Sequence, residues 1–119
     1  TITHGGMAWG AGFVAARAAG AASFADARAS AAPEIAEVFR RFPHIGTVLP
    51  AMGYSASQLD ALARTVNASD AEVVVSATPC DLARLIAIDK PVVRARYEFA
   101  EAGGRVLADA VDALLRRAR

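Results

Sequence analysis

This sequence of 119 residues has one cysteine, little net charge and no long apolar run. The single Cys80 excludes a disulfide within the chain and suits a reducing compartment. The 13 basic and 12 acidic residues leave a net charge of +1, which argues against general binding to nucleic acid or to a membrane surface. No apolar run approaches the roughly 18 residues of a membrane span, and no signal peptide is visible. We therefore expect a cytoplasmic protein with neither nucleic-acid nor membrane partners.

Histidine is also scarce, and its spacing does not fit the common metal sites. His4 and His44 are far apart in the sequence, and one cysteine cannot complete a zinc site with them. No metal site is therefore predicted. His44 is expected to be structural, and Cys80 to be a small buried hydrophobic residue and not a nucleophile.

The chain begins without methionine, in residues that resemble the end of a strand entering a glycine turn. We expect it to be the C-terminal part of a longer protein. Its length fits one modest domain, and no linker or repeat divides it. Residues 1–119 are therefore predicted to form a single α/β domain.

Apolar periodicity predicts strands and helices that alternate about five times. Ser55 and Gln58 form a capping-box pair at the start of one helix. The predicted strands are 1–4, 22–26, 45–50, 72–77 and 92–99, and helices fill the segments between and after them. The connections are too long for hairpins. The pattern indicates an α/β fold with a mostly parallel sheet and helices on both faces, a three-layer αβα arrangement.

The first candidate site is the glycine turn after the opening strand. Gly5 and Gly6 let backbone N–H groups approach a phosphate. His4 beside them is the candidate catalytic residue, because it can donate to an anion or move a proton. Alternatively, the glycines only allow a tight turn and His4 caps it. This is not a P-loop, since G-x-x-x-x-G-K-[ST] occurs nowhere in the chain.

The second candidate site is the turn after strand 72–77, where open α/β sheets bind ligands. The Asp81 carboxylate can accept hydrogen bonds from a nucleobase or a sugar hydroxyl. The alternative is that Thr78 and Asp81 cap the next helix, with Pro79 in its first turn.

The third candidate site is the arginine pair Arg94 and Arg96. Residues i and i+2 of a strand share a face roughly 7 Å apart, which can grip two oxygens of a polyphosphate or of carboxylates. The alternative is a solvated edge strand in which Glu98 pairs with one arginine. Asp26 and Arg28 indicate only a surface ion pair.

Five segments then follow one another in a distinctive order. They are HGGMAWGAG at 4–12, FPHIG at 42–46, VLPAMGY at 48–54, ATPCDL at 77–82 and KPVVRARYE at 90–98. This series resembles the C-terminal part of the cyclic 2,3-diphosphoglycerate synthetase family, whose members are often described as predicted GTPases. The likeness covers nearly the whole chain.

The resemblance implies a P-loop nucleoside triphosphatase fold whose phosphate-binding loop lies in an upstream segment of the same protein. It implies ATP or GTP with Mg²⁺ as the cofactor of the full-length protein, none being bound by this fragment alone. Thr78, Pro79 and Asp81 would then contact the nucleotide, with Asp81 on the base. Pro79 stands where the guanine-reading motif has a lysine, which leaves the choice of base open.

The resemblance also implies that His4, Arg94 and Arg96 contact phosphates or a small phosphorylated metabolite. Gly5 and Gly6 of the glycine turn are candidates for the same anion. The chain lacks a Walker lysine, and phosphoryl transfer depends on such groups, so the fragment alone is expected to be inactive.

Three function hypotheses follow. The first is the C-terminal portion of a nucleotide-dependent enzyme of that family. The second is a non-catalytic regulatory module that binds a nucleotide or metabolite. The third is a structural domain whose glycines and prolines only shape turns. A homodimer is possible through the last strand or the alanine-rich first helix.

Overall fold

The computed structural model describes residues 1–95 and 106–117. Four short strands form its sheet: β1 (Ile2–His4), β2 (Leu49–Ala51), β3 (Val74–Ala77) and β4 (Val92–Arg94). The helices are α1 (Ala11–Ala18), α2 (Pro33–Arg41), α3 (Ala56–Ala68), α4 (Leu82–Leu85) and α5 (Val106–Arg117), with a short 3₁₀ helix at Ala27–Ala29.

The sheet is parallel and has the strand order β2-β1-β3-β4. Ile2 of β1 pairs with Leu49 on one side and with Ser76 on the other, so β1 is central. Parallel neighbours need crossover connections, and helices supply them. The predicted α/β class with a mostly parallel sheet and helices on both faces is confirmed.

The helices follow from local signals as well as from packing. In α2, Pro33 occupies the first turn, where its missing N–H is not needed, and Ile35 and Phe39 are buried one turn apart. The capping box at the start of α3 is present as predicted, with the Ser55 hydroxyl accepting from Gln58 N–H and the Gln58 side chain accepting from Ser55 N–H. Helices α2 and α3 pack against each other, whereas α1 lies on β1 and β3.

The core lies between the sheet and these helices. Its fully buried members include Ile2 of β1, Val48 just before β2, Leu62 of α3 and Leu82 of α4. Burying each such side chain contributes about 1.5–3 kcal/mol. Because β1 and β3 are in the middle of the sheet, the loops that follow them are held on a rigid base.

The predicted strand at 22–26 is wrong. That segment is irregular, and the Asp26 carboxylate accepts a hydrogen bond from the backbone N–H of Arg28, which starts the 3₁₀ helix. Aspartate satisfies nearby backbone donors in this way and so favours turns over strands. The strand predicted at 45–50 occurs only at Leu49–Ala51.

The last strand, predicted at 92–99, occurs at Val92–Arg94 among the described residues. Val92 packs against the core, and Val93 is 56% exposed. Residues 96–99 of that prediction lie outside the described residues. Helix α5, Val106–Arg117, follows the last strand, where a helix was predicted, and Leu114 on it is 68% exposed. Among the described residues, no helix is long and apolar enough to cross a membrane.

Candidate functional site

The strand order creates a switch point between β1 and β3. From β1 the chain crosses to β2 on one side, and from β3 it crosses to β4 on the other. The loops after β1 and β3 therefore leave the sheet in opposite directions, and a crevice opens between them. Ligands of open α/β sheets bind at such crevices, outside the carboxyl ends of the strands.

A cleft of about 590 Å³ lies at this position. Its lining comes from the ends of β1, β2 and β3, from the start of α1 and from the segment after α2: Thr3, His4, Gly5, Gly6, Met7, Ala11, Phe42, His44, Met52, Ala77 and Pro79. Two imidazoles thus face a wall that is mostly apolar. Of the predicted site residues, the structure brings His4, Gly5, Gly6 and Pro79 together here.

The glycine turn is held by backbone geometry. Gly5 has φ +72°, a left-handed conformation that side chains other than glycine rarely adopt. Its N–H donates to the Ala51 carbonyl at 3.0 Å, which extends the pairing of β1 with β2. That N–H is therefore already used in a hydrogen bond to the sheet. Gly5 shapes the cleft because its positive φ sets the direction in which the chain leaves β1. Its predicted contact with phosphate stays a prediction, as does that of Gly6.

His4 is tied to a residue that the sequence did not indicate. His4 Nδ1 lies 3.0 Å from the hydroxyl of Tyr54, and the two ring planes are nearly parallel, at 8°. Tyr54 follows β2, so it stands at the same edge of the sheet as His4 although 50 residues separate them. No protein partner contacts His4 Nε2 among the described residues, and His4 lines the cleft.

Two residues of the turn after β3, Thr78 and Cys80, interact with Tyr54. Thr78 is 4% exposed, and its hydroxyl donates to the Cys80 carbonyl at 2.9 Å. Burial raises the pKa of the Tyr54 phenol, the neighbouring Cys80 raises it further, and a hydrogen bond with Thr78 opposes the rise. Tyr54 therefore stays protonated at neutral pH. Cys80 was predicted to be buried and is half-buried.

Asp81 and Arg94 lie beside the cleft and do not line it. Asp81 occupies the cap position of the short α4, but its side chain makes no capping hydrogen bond and is exposed. Arg94 ends β4 and donates to the Pro79 carbonyl at 3.0 Å, which shapes the turn after β3. Arg96 lies outside the described residues. The predicted nucleotide and phosphate contacts of these residues stay predictions.

His44 lines the cleft, and it also bonds to the glycine turn. Its Nε2 donates to the Gly6 carbonyl at 2.8 Å, because a carbonyl can only accept. Arg28 holds the segment that carries His44 by donating to the carbonyls of Ile45 and Gly46. Its guanidinium also lies 4.2 Å from the centre of the Phe39 ring. The predicted surface ion pair of Arg28 with Asp26 is present at 3.4 Å, and Arg28 makes these further contacts beside it.

The lining carries imidazoles but no Asp, Glu, Lys or Arg among the described residues. Within the residues that the structure describes, no three histidine, cysteine, aspartate or glutamate side chains lie close enough together to hold a metal ion. The cleft can thus receive a ligand with an apolar body and a polar end. The polar end would meet the two imidazoles, whose nitrogens are hydrogen-bonding groups.

Comparison with known proteins gives one informative relative. Arginine synthetase ArcE of Thermococcus kodakarensis is 48% identical to this chain over 103 residues. The match covers 87% of this chain and 23% of that protein, so the chain spans less than a quarter of the relative's length. No protein-family model matches the chain, and no solved structure matches it.

This relative overturns the resemblance to the cyclic 2,3-diphosphoglycerate synthetase family. Its name states a different activity, and the comparisons contain no P-loop nucleoside triphosphatase family. The predicted function as part of such a synthetase, and the description as a GTPase, are wrong. Short segments with glycine or proline at strand ends meet the turn requirements of many parallel sheets. Their order therefore does not distinguish enzymes with different substrates.

Proposed function

We propose that this chain forms one wall of the active-site cleft in a longer enzyme that makes arginine. The observation that carries the proposal is the 48% identity to an arginine synthetase over 87% of this chain. A match of that extent includes most of the segment between Thr3 and Pro79 that lines the cleft. In this proposal arginine takes the place of the small phosphorylated metabolite expected from the sequence.

The chemistry of the cleft supports an arginine-like ligand. Arginine has an apolar stem and a planar guanidino end with N–H donors. Met7 and Met52 offer flexible apolar surface for the stem. Phe42 offers an aromatic ring, and guanidino groups stack on aromatic faces. The nitrogens of His4 and His44 that are not used within the protein can accept hydrogen bonds from the guanidino end.

His4 is the residue proposed to act in the reaction. It lines the cleft, its Nε2 has no protein partner in the described part of the chain, and its Nδ1 is held by Tyr54. General acid–base catalysis by a positioned side chain contributes typically 10²–10⁴-fold to a rate. Removing His4 should therefore lower turnover by about 10²-fold or more.

The nucleotide remains part of the proposal. Bond formation by a synthetase is generally driven by a nucleoside triphosphate, and the turn with Thr78, Pro79 and Asp81 lies beside the cleft at a strand end. ATP or GTP with Mg²⁺ would then be supplied to this cleft by the full-length protein. The exposed and uncapped Asp81 carboxylate remains the residue proposed to contact the base or ribose.

The test uses the full-length protein that contains this chain. Calorimetric titration should detect L-arginine, with L-lysine as the matched control that has the charge but not the guanidino group. In the reverse direction, arginine incubated with a nucleoside diphosphate, phosphate and Mg²⁺ should be consumed, as followed by mass spectrometry. Lysine binding equal to arginine binding, together with no consumption of arginine, would reject the proposal.

Two variants test whether the activity depends on the cleft. His4→Gln should abolish most turnover while the protein stays folded, because His4 is exposed and lies outside the core. Glu37→Gln is the control, since Glu37 is exposed on α2 and pairs with Arg40 on the same helix. Equal activity in the two variants would remove His4 from the reaction.

A further inference from the structure

We propose that Arg41, the last residue of α2, binds a phosphate group at the edge of the cleft. The proposal rests on the proposed function for the use of a nucleotide and for arginine as the second ligand. For the phosphate contact itself it rests on the position of Arg41 and on its unused hydrogen-bond donors. The measurements below separate the two.

Arg41 lies beside two residues that line the cleft. Its guanidinium is 5.6 Å from the centre of the Phe42 ring. The Phe42 ring meets His44 edge-on, with 6.1 Å between the ring centres and 81° between the planes. Phe42 and His44 both line the cleft, and His44 donates to the Gly6 carbonyl. Arg41 is therefore one side chain away from the cleft, on the side where His44 contacts the glycine turn.

The donors of Arg41 are unused within the protein. Its guanidinium makes no hydrogen bond and no ion pair in the part of the chain that the structure describes. Its neighbour Arg40, in contrast, pairs with Glu37 on the same helix. Both arginines are exposed and complement the helix dipole at the C-terminus of α2. The dipole alone therefore does not distinguish them, whereas the free donors and the position over a ring of the cleft wall do.

These free donors fit an anion and not the guanidino end of arginine. The proposed function places that guanidino end on the Phe42 ring, where the charge of Arg41 repels it. An anion beside the ring removes this conflict, because it attracts both positive groups. A planar guanidinium binds phosphate oxygens through two parallel hydrogen bonds. The nucleoside triphosphate of the proposed function supplies such an anion.

The glycine turn leaves room for a phosphate. A methyl group on Gly6 would meet nothing nearer than the end of the Met52 side chain at 3.9 Å. The Gly6 N–H donates to no protein acceptor among the described residues, so it is free to donate to a ligand. Backbone N–H groups of turns form anion-binding sites in this way. A phosphate at the edge of the cleft can thus meet a backbone donor as well as a positive charge.

Two sources can supply the phosphate, and the test uses both. The full-length protein is titrated calorimetrically with inorganic phosphate and, separately, with ATP and Mg²⁺. Arg41→Met keeps the length of the side chain but removes its charge and donors. The Kd should rise about 10-fold or more, as expected when hydrogen bonds to a charged group are lost. A rise for inorganic phosphate alone would assign the contact to the free ion, and a rise for ATP would assign it to the nucleotide.

Arg40→Met is the matched control, because it removes the same charge from the same turn of α2, but from a residue paired with Glu37. It should leave both Kd values within about twofold of wild type. Arg41→Lys keeps the charge without the planar fork and should lie between wild type and Arg41→Met. Equal weakening in the two methionine variants would show only a long-range effect of charge and overturn the proposal. Unchanged binding in Arg41→Met, or no binding of either phosphate ligand by wild type, would overturn it as well.

L-arginine gives a readout of the opposite sign. Without phosphate, Arg41→Met should bind L-arginine at least as tightly as wild type, because a repelling charge beside Phe42 is removed. Weaker arginine binding in this variant would assign Arg41 to the carboxylate of the amino acid and reject the phosphate contact. If Arg41→Met loses phosphate affinity as expected but L-arginine is neither bound nor consumed by wild type, the proposed function fails while the phosphate contact stands.

Discussion

Gly10 lies directly against the side chain of Thr3. A methyl group on Gly10 would come within 2.1 Å of Thr3 Oγ1 and 2.8 Å of its Cβ. Gly10 has φ −143° and ψ 172°, an extended conformation that any residue adopts, so the need for glycine is one of space. Gly10 precedes α1 and Thr3 lines the cleft, so this contact sets how closely the start of α1 approaches β1.

Gly10→Ala should therefore destabilise the protein by about 1–3 kcal/mol, the usual cost of overpacking. Denaturant unfolding of the full-length protein measures this loss. Gly6→Ala is the control, because a methyl group there would meet only the flexible end of Met52 at 3.9 Å. Combining Gly10→Ala with Thr3→Ala removes the closest atom and should cost less than the two changes added together. Strict additivity would show that the contact is not the cause.

The hydroxyl of Thr65 joins α3 to the start of α2. Thr65 is fully buried, accepts from the backbone N–H of Ala32 at 3.0 Å and donates to the Ala61 carbonyl at 2.8 Å. Thr65→Val keeps the shape but leaves the Ala32 N–H unpaired, which should cost about 1–3 kcal/mol of unfolding free energy. Thr65→Ser keeps the hydroxyl and should lose only about 0.8 kcal/mol for one methyl group. Valine tolerated as well as serine would contradict this account.

Arg64 precedes the buried Thr65 in α3 but is exposed, and we expect its interactions to contribute little to stability. Its guanidinium pairs with Glu34 at 3.2 Å and with Asp60 at 2.8 Å, but all three side chains are about half exposed. Solvent screens such pairs, and ordering long side chains offsets much of the attraction. Arg64→Met should therefore reduce stability much less than Thr65→Val, and the difference from wild type should shrink at 1 M salt, where the Debye length is about 3 Å. A loss that persists in high salt would show that packing, and not charge, is involved.

The sequence predicts the fold best where the signal is local. The capping box of Ser55 and Gln58 and the proline start of α2 depend on residues three or four apart, and both are present. The predicted strand at 22–26 fails because Asp26 satisfies a backbone donor within its own turn. Which face of the short edge strand β4 is covered depends on its neighbours in the sheet, and there Val92 packs against the core whereas Val93 is 56% exposed.

The candidate site was predicted only in part, for the same reason. His4, the glycines and Pro79 stand out because they follow predicted strands, and the cleft gathers them. Tyr54 was missed as a partner of His4 because the two residues are 50 apart and no local pattern connects them. A usable signal did exist, since Tyr54 also follows a predicted strand, and the carboxyl ends of parallel strands meet at one edge of a sheet.

Tyr54 should affect stability at alkaline pH. Its pKa in the folded protein is raised, mainly by burial, above the value of about 10 for an exposed tyrosine. The folded state then keeps the phenol proton more tightly than the unfolded state, so the stability contributed by Tyr54 is complete below pH 10 and is lost as pH rises through the folded pKa. The advantage of wild type over Tyr54→Phe in urea unfolding should decline above about pH 10. Parallel pH curves for the two proteins would contradict the raised pKa.

His44 should govern ligand affinity through the glycine turn. Its Nε2–H donates to the Gly6 carbonyl at 2.8 Å, so the segment after α2 holds the turn that follows β1. His44→Ala removes this bond, which is worth about 0.5–1.5 kcal/mol, and the Kd of the full-length protein for arginine should rise up to about tenfold. His44→Gln places an amide N–H near the position of Nε2 and should keep Kd within about twofold of wild type. Calorimetric titration measures both. If glutamine weakens binding as much as alanine, His44 contacts the ligand through its other ring nitrogen, and its hold on Gly6 does not set the affinity.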